Sequence, residues 1–60
     1  MYRIMADYDN GLFFAGYIGK DAPTWTDDVR RAKTYKRQGN ANNRQIELIN
    51  MGYPTQLEKI

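Results

Sequence analysis

The fold is decided by residues 2–18, which read YRIMADYDNGLFFAGYI. From position 2 to position 8 the even positions are apolar and the odd positions are mostly polar. This period of two is typical of a half-buried strand. The next residues include Asn10-Gly11, and Asn-Gly between two apolar runs is the strongest short-range signal for a β-hairpin. We therefore expect residues 12–18 to return as the second strand of a hairpin.

Two registers of this hairpin are open. A two-residue turn at Asn10-Gly11 places Tyr8 opposite Phe13, whereas a three-residue loop with Gly11 at a left-handed bulge position places Tyr8 opposite Leu12. We favour the second register because it separates the side chains into two cleaner faces. One face then carries Tyr2, Ile4, Ala6, Tyr8, Leu12, Phe14 and Ile18, and the other carries Arg3, Met5, Asp7, Phe13, Ala15 and Tyr17.

The middle of the chain predicts a loop, a short helix and a strand. Residues 20–24, with Pro23, are expected to form the loop. The run Thr26-Asp27-Asp28 is typical of a helix start, because a Thr hydroxyl can cap free N–H groups and acids favour the positive end of the helix dipole. The helix is short because residues 33–36 read better as a strand.

The last third of the chain predicts a longer helix and a final strand. Asn40 is expected to cap a helix over residues 41–51, with Ala41, Leu48 and Ile49 on its apolar face and Ile46 and Met51 at the edges. Gly52 is a candidate C-cap, since Pro54 prevents the helix from continuing. Residues 55–60 are expected to form an edge strand with Leu57 and Ile60 facing inward. The sequence thus predicts one α+β domain over residues 1–60, in the order β-β-α-β-α-β, with an antiparallel sheet packed on one short and one longer helix.

The composition of the chain limits its chemistry. Its 60 residues contain no Cys, His or Ser, which removes the usual nucleophilic triads and the ligands of structural zinc. The glycines match no phosphate-binding fingerprint, and the carboxylates are explained by turns and helix caps. We therefore expect no enzymatic activity, no metal and no cofactor. The lack of Cys fits a reducing compartment, and no apolar run is long enough to span a membrane, so we expect a cytoplasmic location.

Two candidate interaction surfaces remain. Met5, Phe13 and Tyr17 are expected to point away from the helices, as an uncovered apolar patch suited to a partner or to self-association. Trp25 has two interpretations, as a core residue and as an anchor of an interface. Six of the nine basic residues form what we call the basic strip: Arg30, Arg31, Lys33, Lys36, Arg37 and Arg44. With Tyr35 interleaved and Asn40, Asn42, Asn43 and Gln45 following, the strip can grip phosphates and reach base edges, although a net charge of +2 is small for a dedicated nucleic-acid binder. The same strip suits an acidic protein surface or the nucleic-acid channel of a nuclease that it blocks.

Three short motifs carry a resemblance to a group of proteins. The segments Gly16-Tyr17-Ile18-Gly19, Trp25-Thr26-Asp27-Asp28 and Ala32-Lys33-Thr34-Tyr35 resemble a pattern of very short bacteriophage and prophage accessory proteins, over residues 2–50. In these proteins a hairpin is followed by W-T-x-D, an A-x-x-[YF] strand and a helix rich in Ala and Glu. The residues Asn42, Asn43 and Gln45 depart from that composition.

The resemblance implies a function by binding. Proteins of this group often disable a host protein, including defence nucleases, as anti-CRISPR proteins do. We therefore expect stoichiometric binding to a host protein inside the bacterial cell. A nucleic-acid-binding regulator that uses residues 30–44, and a structural homodimer, are the alternatives.

Overall fold

The computed structural model describes residues 1–8, 11–20 and 22–60. These residues form five strands and one helix. The elements are β1 (Tyr2–Ala6), β2 (Phe13–Ile18), β3 (Ala22–Thr26), β4 (Thr34–Tyr35), α1 (Gln38–Asn50) and β5 (Thr55–Lys59). The architecture is therefore α+β, as predicted, with a five-stranded antiparallel sheet and the helix packed on one face of it.

Strand β1 is the centre of the sheet. Along one edge it pairs with β5 over its full length, from Tyr2 opposite Lys59 to Ala6 opposite Thr55. Along the other edge it pairs first with β4 and then with β2, where Met5 lies opposite Phe13. The two strands of the hairpin then diverge, and β4 fills the gap between them. The Lys33 N–H donates to the Phe14 carbonyl at 2.8 Å on the side of β2 that faces this gap.

Both predicted hairpin registers are wrong. The pairing of Met5 with Phe13 leaves residues 7–11 as the connection, which is longer than either predicted loop. Asp9 and Asn10 lie outside the described residues, and so does the turn predicted there. The observed register differs from the favoured one by two positions. Because side chains alternate with a period of two, Ile4, Ala6 and Phe14 still share the core face.

A β-bulge in β2 reverses the predicted orientation of its second half. The register between β2 and β3 shifts between Phe14 and Gly16, and Gly16 has a φ of 115° that favours glycine. Beyond the bulge Tyr17 turns toward the core and packs on the Phe14 ring, with the ring centroids 5.3 Å apart. Ile18 turns outward and is 71% exposed. The prediction that placed Tyr17 outside and Ile18 in the core is therefore wrong.

The short helix predicted after Trp25 does not form. Residues 22–26 are instead a strand, which also overturns the predicted loop over 20–24, and a turn follows it. In this turn the Thr26 hydroxyl accepts from the Asp28 N–H at 3.0 Å, and the Asp28 carboxylate accepts from the Arg30 N–H at 2.9 Å. The side chains that were predicted to cap a helix instead stabilise turns. Short polar side chains are suited to both roles. The element order is consequently β-β-β-β-α-β.

Helix α1 begins earlier than predicted and ends as predicted. Its N-cap position is Arg37, not Asn40, and no side chain caps it. At the other end the Gly52 N–H donates to Ile49 and the Tyr53 N–H donates to Leu48, at 3.0 and 2.9 Å. These two bonds define a Schellman motif, which Gly52 permits with a φ of 98°. The predicted glycine C-cap is confirmed.

The core lies between α1 and the sheet. Ile4, Phe14 and Leu48 are its fully buried large side chains, and the partly buried Leu57 packs against them, as predicted. Ile60 is 52% exposed, so its predicted inward orientation is wrong. On the helix, Ala41 and Leu48 are buried as expected. Ile49, predicted on the same apolar face, is 48% exposed.

Candidate functional site

The predicted apolar patch on the hairpin is not assembled. Phe13 is only 8% exposed, because the Arg3 guanidinium lies 4.5 Å above the centre of its ring. Arg3 is held there by an ion pair with Glu58, in which Nε and Oε1 are 2.9 Å apart. Met5 is half-buried and lies opposite Phe13, whereas Tyr17 is on the other face of the sheet. The three side chains thus form no common uncovered surface.

Trp25 belongs to an aromatic cluster that covers one end of the core. Its ring lies 5.9 Å from Phe14 and from Tyr53, and 6.0 Å from Tyr8, measured between centroids. Trp25 itself is half-buried, whereas Tyr8 is 54% exposed. Edge-to-face rings at these distances stabilise one another beyond the area that they bury. Trp25 therefore contributes to the core, and it keeps an exposed part that a partner can contact.

The basic strip begins in the turn after β3. The side chains of Arg30 and Arg31 are 87% and 80% exposed, and both contact the Asp28 carboxylate, at 3.2 and 3.8 Å. Hydrogen bonds from the side chain and then the backbone of Arg30 hold the pKa of Asp28 below its ordinary value of 3.8. Desolvation opposes them, and the charge of Arg31 lowers the pKa by the smallest amount. The charge of these two arginines is thus partly balanced.

The cations at the centre of the basic strip lack an acidic partner among the described residues. Lys33, Lys36 and Arg37 are exposed, and they form no ion pair with any residue in 1–8, 11–20 or 22–60. The first turn of α1, which follows them, contains no acidic side chain. Three cations within five residues therefore give this part of the surface its positive potential.

Arg44 lies at the other end of the basic strip, within a polar cluster. Its guanidinium donates to both carboxylate oxygens of Glu47 at 3.1 Å and lies 4.9 Å from the centre of the Tyr17 ring. The Tyr17 hydroxyl donates to the same carboxylate at 3.2 Å. Interaction with Tyr17 raises the pKa of Arg44, with further contributions from Tyr35 and Glu47, although burial has the opposite effect. The bulge in β2 creates this cluster, because it turns Tyr17 toward the helix.

A surface pocket of about 330 Å³ opens beside this cluster. It is lined by Tyr35, Asn40, Asn43, Arg44 and Glu47. The aromatic face of Tyr35 comes from β4, and the polar groups come from successive turns of α1. Because Glu47 neutralises Arg44, the pocket offers hydrogen-bond donors and acceptors more than net charge. Burial raises the pKa of Tyr35 above its ordinary value of 10.0, so its hydroxyl stays a donor at neutral pH.

Sequence reasoning named four of the five lining residues, since Tyr35, Asn40 and Asn43 were grouped with the cations of the basic strip. Glu47 was not predicted to take part, and Asn40 was also interpreted as a helix cap. The spacing of Arg44 and Glu47, three residues apart on a helix, is a signal that could have paired them. No spacing in the sequence predicts that Tyr17 would join them, since that contact depends on the bulge.

The remaining features limit what the site can do. The described part of the chain contains no group of three or more His, Cys, Asp or Glu side chains that could hold a metal ion. Among the carboxylates, Asp7 accepts a hydrogen bond from Gln56 and Asp28 accepts hydrogen bonds from Arg30. Within the described ranges, no helix combines the length and apolar character that crossing a membrane requires.

Comparison with known proteins gives no relative for this chain. Neither a family model, nor a curated protein, nor a solved structure matches it significantly.

Proposed function

We propose that this chain is a non-enzymatic, phage-type accessory protein that binds a host protein stoichiometrically through the basic strip. The observation that carries the proposal is a group of three exposed cations, Lys33, Lys36 and Arg37, that form no ion pair with the described residues. Cations held without an internal counter-charge raise the electrostatic free energy of the free protein, and an acidic partner surface lowers it. Such complementarity speeds association and selects the partner.

The pocket beside the strip would supply directional contacts to the same partner. Tyr35, Asn40 and Asn43 provide an aromatic face and amide groups, next to the Arg44–Glu47 pair. Aromatic residues and Arg are the commonest anchors at protein interfaces. A partner side chain that enters the pocket would therefore be fixed by hydrogen bonds, while the cations orient the encounter.

A protein partner fits the charge balance better than a nucleic acid does. Asp28 and Glu47 offset part of the charge of three of the six cations in the strip, and the whole chain carries only +2. Binding to nucleic acid depends on phosphate neutralisation by many free cations. A channel that binds nucleic acid is itself basic, so a defence nuclease would be engaged at an acidic surface outside its channel.

The phage-type origin and the inhibition of a host factor rest on the resemblance of the three motifs. The structure gives these motifs a physical role: Thr26 and Asp28 close the turn after β3, and the buried Ala32 lets Lys33 reach the Phe14 backbone. The motifs thus place the basic strip next to β4. Inhibition would follow from occupation of a host surface and requires no chemistry by this chain.

The test is affinity capture from a bacterial lysate, with and without nuclease treatment, followed by mass spectrometry. Lys36→Glu is the test variant, and Lys20→Glu is the matched control, since it changes the net charge equally at an exposed lysine outside the strip. We expect one host protein in a fixed ratio that survives nuclease, with recovery reduced about tenfold by Lys36→Glu, because charge reversal at a complementary interface costs more than 1 kcal/mol. Equal recovery with both variants would show that the strip is not the contact surface.

The second candidate function is that of a nucleic-acid-binding regulator. It is favoured by the amides of Asn40 and Asn43 and the ring of Tyr35, which line one pocket. Tyr35 is followed directly in the chain by the exposed Lys36 and Arg37. Fluorescence anisotropy with a labelled oligonucleotide would distinguish it from protein binding. Micromolar affinity that falls steeply with salt, and less steeply in Lys36→Glu, would support this function and displace the first proposal.

A further inference from the structure

The outer edge of β5 carries unpaired backbone groups. Hydrogen bonds from the Asp7 N–H to Pro54 and from the Ile60 N–H to Met1, at 2.9 and 2.8 Å, establish which residues of β5 bond to β1. In an antiparallel ladder this role alternates along the strand. The backbone groups of residues 56 and 58 therefore point toward β1, and those of residues 55, 57 and 59 point away from the sheet.

Among residues 1–8, 11–20 and 22–60, these outward groups have few bonding partners. The Thr55 carbonyl accepts from the Gln45 side chain at 3.0 Å. Among the described strands β1 is the one that pairs with β5, so the outward N–H and C=O groups of Leu57 and Lys59 meet no strand. A regular row of this kind is a template for another strand.

The two edges of the sheet differ in how they are protected. The other edge is β3, which contains Pro23 and lies against the bulge of β2. Proline removes a donor and a bulge twists the edge, and both prevent the addition of a strand. β5 reads TQLEK and pairs with β1 in an unbroken register, so it has neither protection.

An apolar side of helix α1 lies next to this open edge. The contact between Gln45 and Thr55 shows which side of the helix faces the end of β5. Ile49 follows Gln45 by four residues and therefore lies on the same side. Ile49 and the neighbouring Ile46 are 48% and 56% exposed. Apolar side chains beside unpaired backbone form a surface that an added strand and helix would cover.

We propose that β5 pairs in antiparallel orientation with β5 of a second copy of this chain, in a two-fold symmetric dimer centred on Leu57. In this register Leu57 lies opposite its own copy and residue 55 lies opposite residue 59. All of these residues have outward backbone groups, so the pairing forms up to about six hydrogen bonds. Gln56 lies opposite Glu58 of the second copy, and this amide–carboxylate pair is favourable across strands.

The alternative registers are weaker. A shift of the second strand that pairs residue 57 with residue 59 would place Glu58 opposite its own copy, and like charges directly opposite destabilise a sheet. The opposite shift pairs residue 55 with residue 57 and leaves the outward groups of Lys59 beyond the end of the partner strand. The sequence of β5 therefore selects the self-complementary register.

The same symmetry brings the two helices together. A two-fold axis perpendicular to the sheet keeps both copies of α1 on one face. Strands lie ~4.8 Å apart, so two helices that each lie over β1 and β5 come within about 10 Å, the separation of packed helices. Ile46 and Ile49 would be buried between them. The basic strip and its pocket lie toward β2 and β4, so this dimer leaves them free, and it stands independently of the proposed function.

Sedimentation equilibrium over a range of concentrations tests the dimer. We expect a mass of twice 7.0 kDa at high concentration. The first variant carries N-methyl-Leu57, made by chemical synthesis, which removes an outward donor and leaves the bonds to β1 intact. The second is Ile49→Lys, and its matched control is Ile18→Lys, at a 71% exposed isoleucine at the end of β2, away from β5.

The expected result and the results that would overturn the proposal are distinct. We expect each variant to raise the dissociation constant of the dimer at least about tenfold, because each removes a contact that occurs twice in a symmetric dimer, while Ile18→Lys leaves it unchanged. Circular dichroism checks that each variant is folded, and either variant alone suffices if the other unfolds. A mass of 7.0 kDa up to about 1 mM, where even a weak dimer would form, would overturn the proposal. A dimer that tolerates both changes would overturn it equally.

Discussion

The two long sides of helix α1 differ in what they leave unsatisfied. On one side Arg44, Glu47 and Tyr17 bond to one another, so that polar side chains are paired within the molecule. On the other side Ile46 and Ile49 are about half exposed, next to the open backbone of β5. A single amphipathic helix thus presents a satisfied polar pocket and an unsatisfied apolar side. Under the two proposals, the first receives a side chain of the partner and the second is covered by a second copy of the chain.

Leu48 anchors both sides, and its truncation is expected to have the largest effect. Leu48 is fully buried with Ile4 and Phe14. Leu48→Ala should lower the free energy of unfolding by about 2–5 kcal/mol, through lost burial and the cavity left behind. For a domain of this size that loss approaches the total stability. Urea denaturation followed by Trp25 fluorescence measures it. Val29→Ala is the control, at a 51% exposed residue of the turn after β3, and is expected within about 0.5 kcal/mol of the parent protein. Similar losses for the two variants would contradict the assigned core.

The polar side of the helix should contribute less. Arg44→Met keeps the apolar stem and removes the contacts with Glu47 and the Tyr17 ring. We expect a loss of about 1 kcal/mol in the free energy of unfolding, the sum of one partly exposed ion pair and one cation–π contact. Arg30→Met is the control, because its pair with Asp28 is highly exposed on the arginine side and should contribute little. If Arg30→Met costs as much as Arg44→Met, the pocket is not a stabilising network.

The smallest expected effect is a decrease in stability at alkaline pH, and it arises only from the polar side of α1. Burial raises the pKa of Tyr35 above 10.0, so the unfolded chain loses this proton at lower pH than the folded one does. The contribution of Tyr35 to the free energy of unfolding is therefore fully present below pH 10, and it is lost as the pH rises through the folded-state pKa. The free energy of unfolding should therefore decline above about pH 10, and Tyr35→Phe should reduce the slope of that decline.

The effect of salt on this pH dependence distinguishes burial from charge as the cause of the raised pKa of Tyr35. Desolvation is the largest contribution to the raised pKa of Tyr35, and it does not depend on ionic strength, whereas the charges of Arg44 and Glu47 are screened. The slope should thus persist in about 1 M NaCl, at which the screening length is ~3 Å. Its disappearance in salt would assign the shift to charge and not to burial.

Much of the fold could be predicted from the sequence because local patterns carry it. The alternation in residues 2–8 predicts β1, and Gly52 followed by Pro54 predicts the end of α1. Both signals act within a few residues, and the backbone geometry that they require is the same in any tertiary setting. The cations of the basic strip were also recognisable, since clustered charges remain exposed in almost any fold.

The segment after Trp25 shows where local patterns are ambiguous. Thr26 and Asp28 can accept backbone N–H groups at a helix start or in a turn, and the two arrangements use nearly the same hydrogen bonds. The pairing of residues 22–26 with β2 decides between them, because it extends the chain up to Thr26. That pairing is a long-range contact, so the sequence could not predict it locally.

Local sequence patterns therefore suffice to predict the class of the fold, the strand and helix signals with local chemistry, and the position of the positive charge. Long-range contacts set the hairpin register, the bulge at Gly16 and the third strand, and with them the pocket that joins Tyr17 to Arg44 and Glu47. This division arises because side-chain periodicity and capping act over a few residues. The face on which a side chain lies depends on cross-strand register, and one extra residue in a strand reverses it.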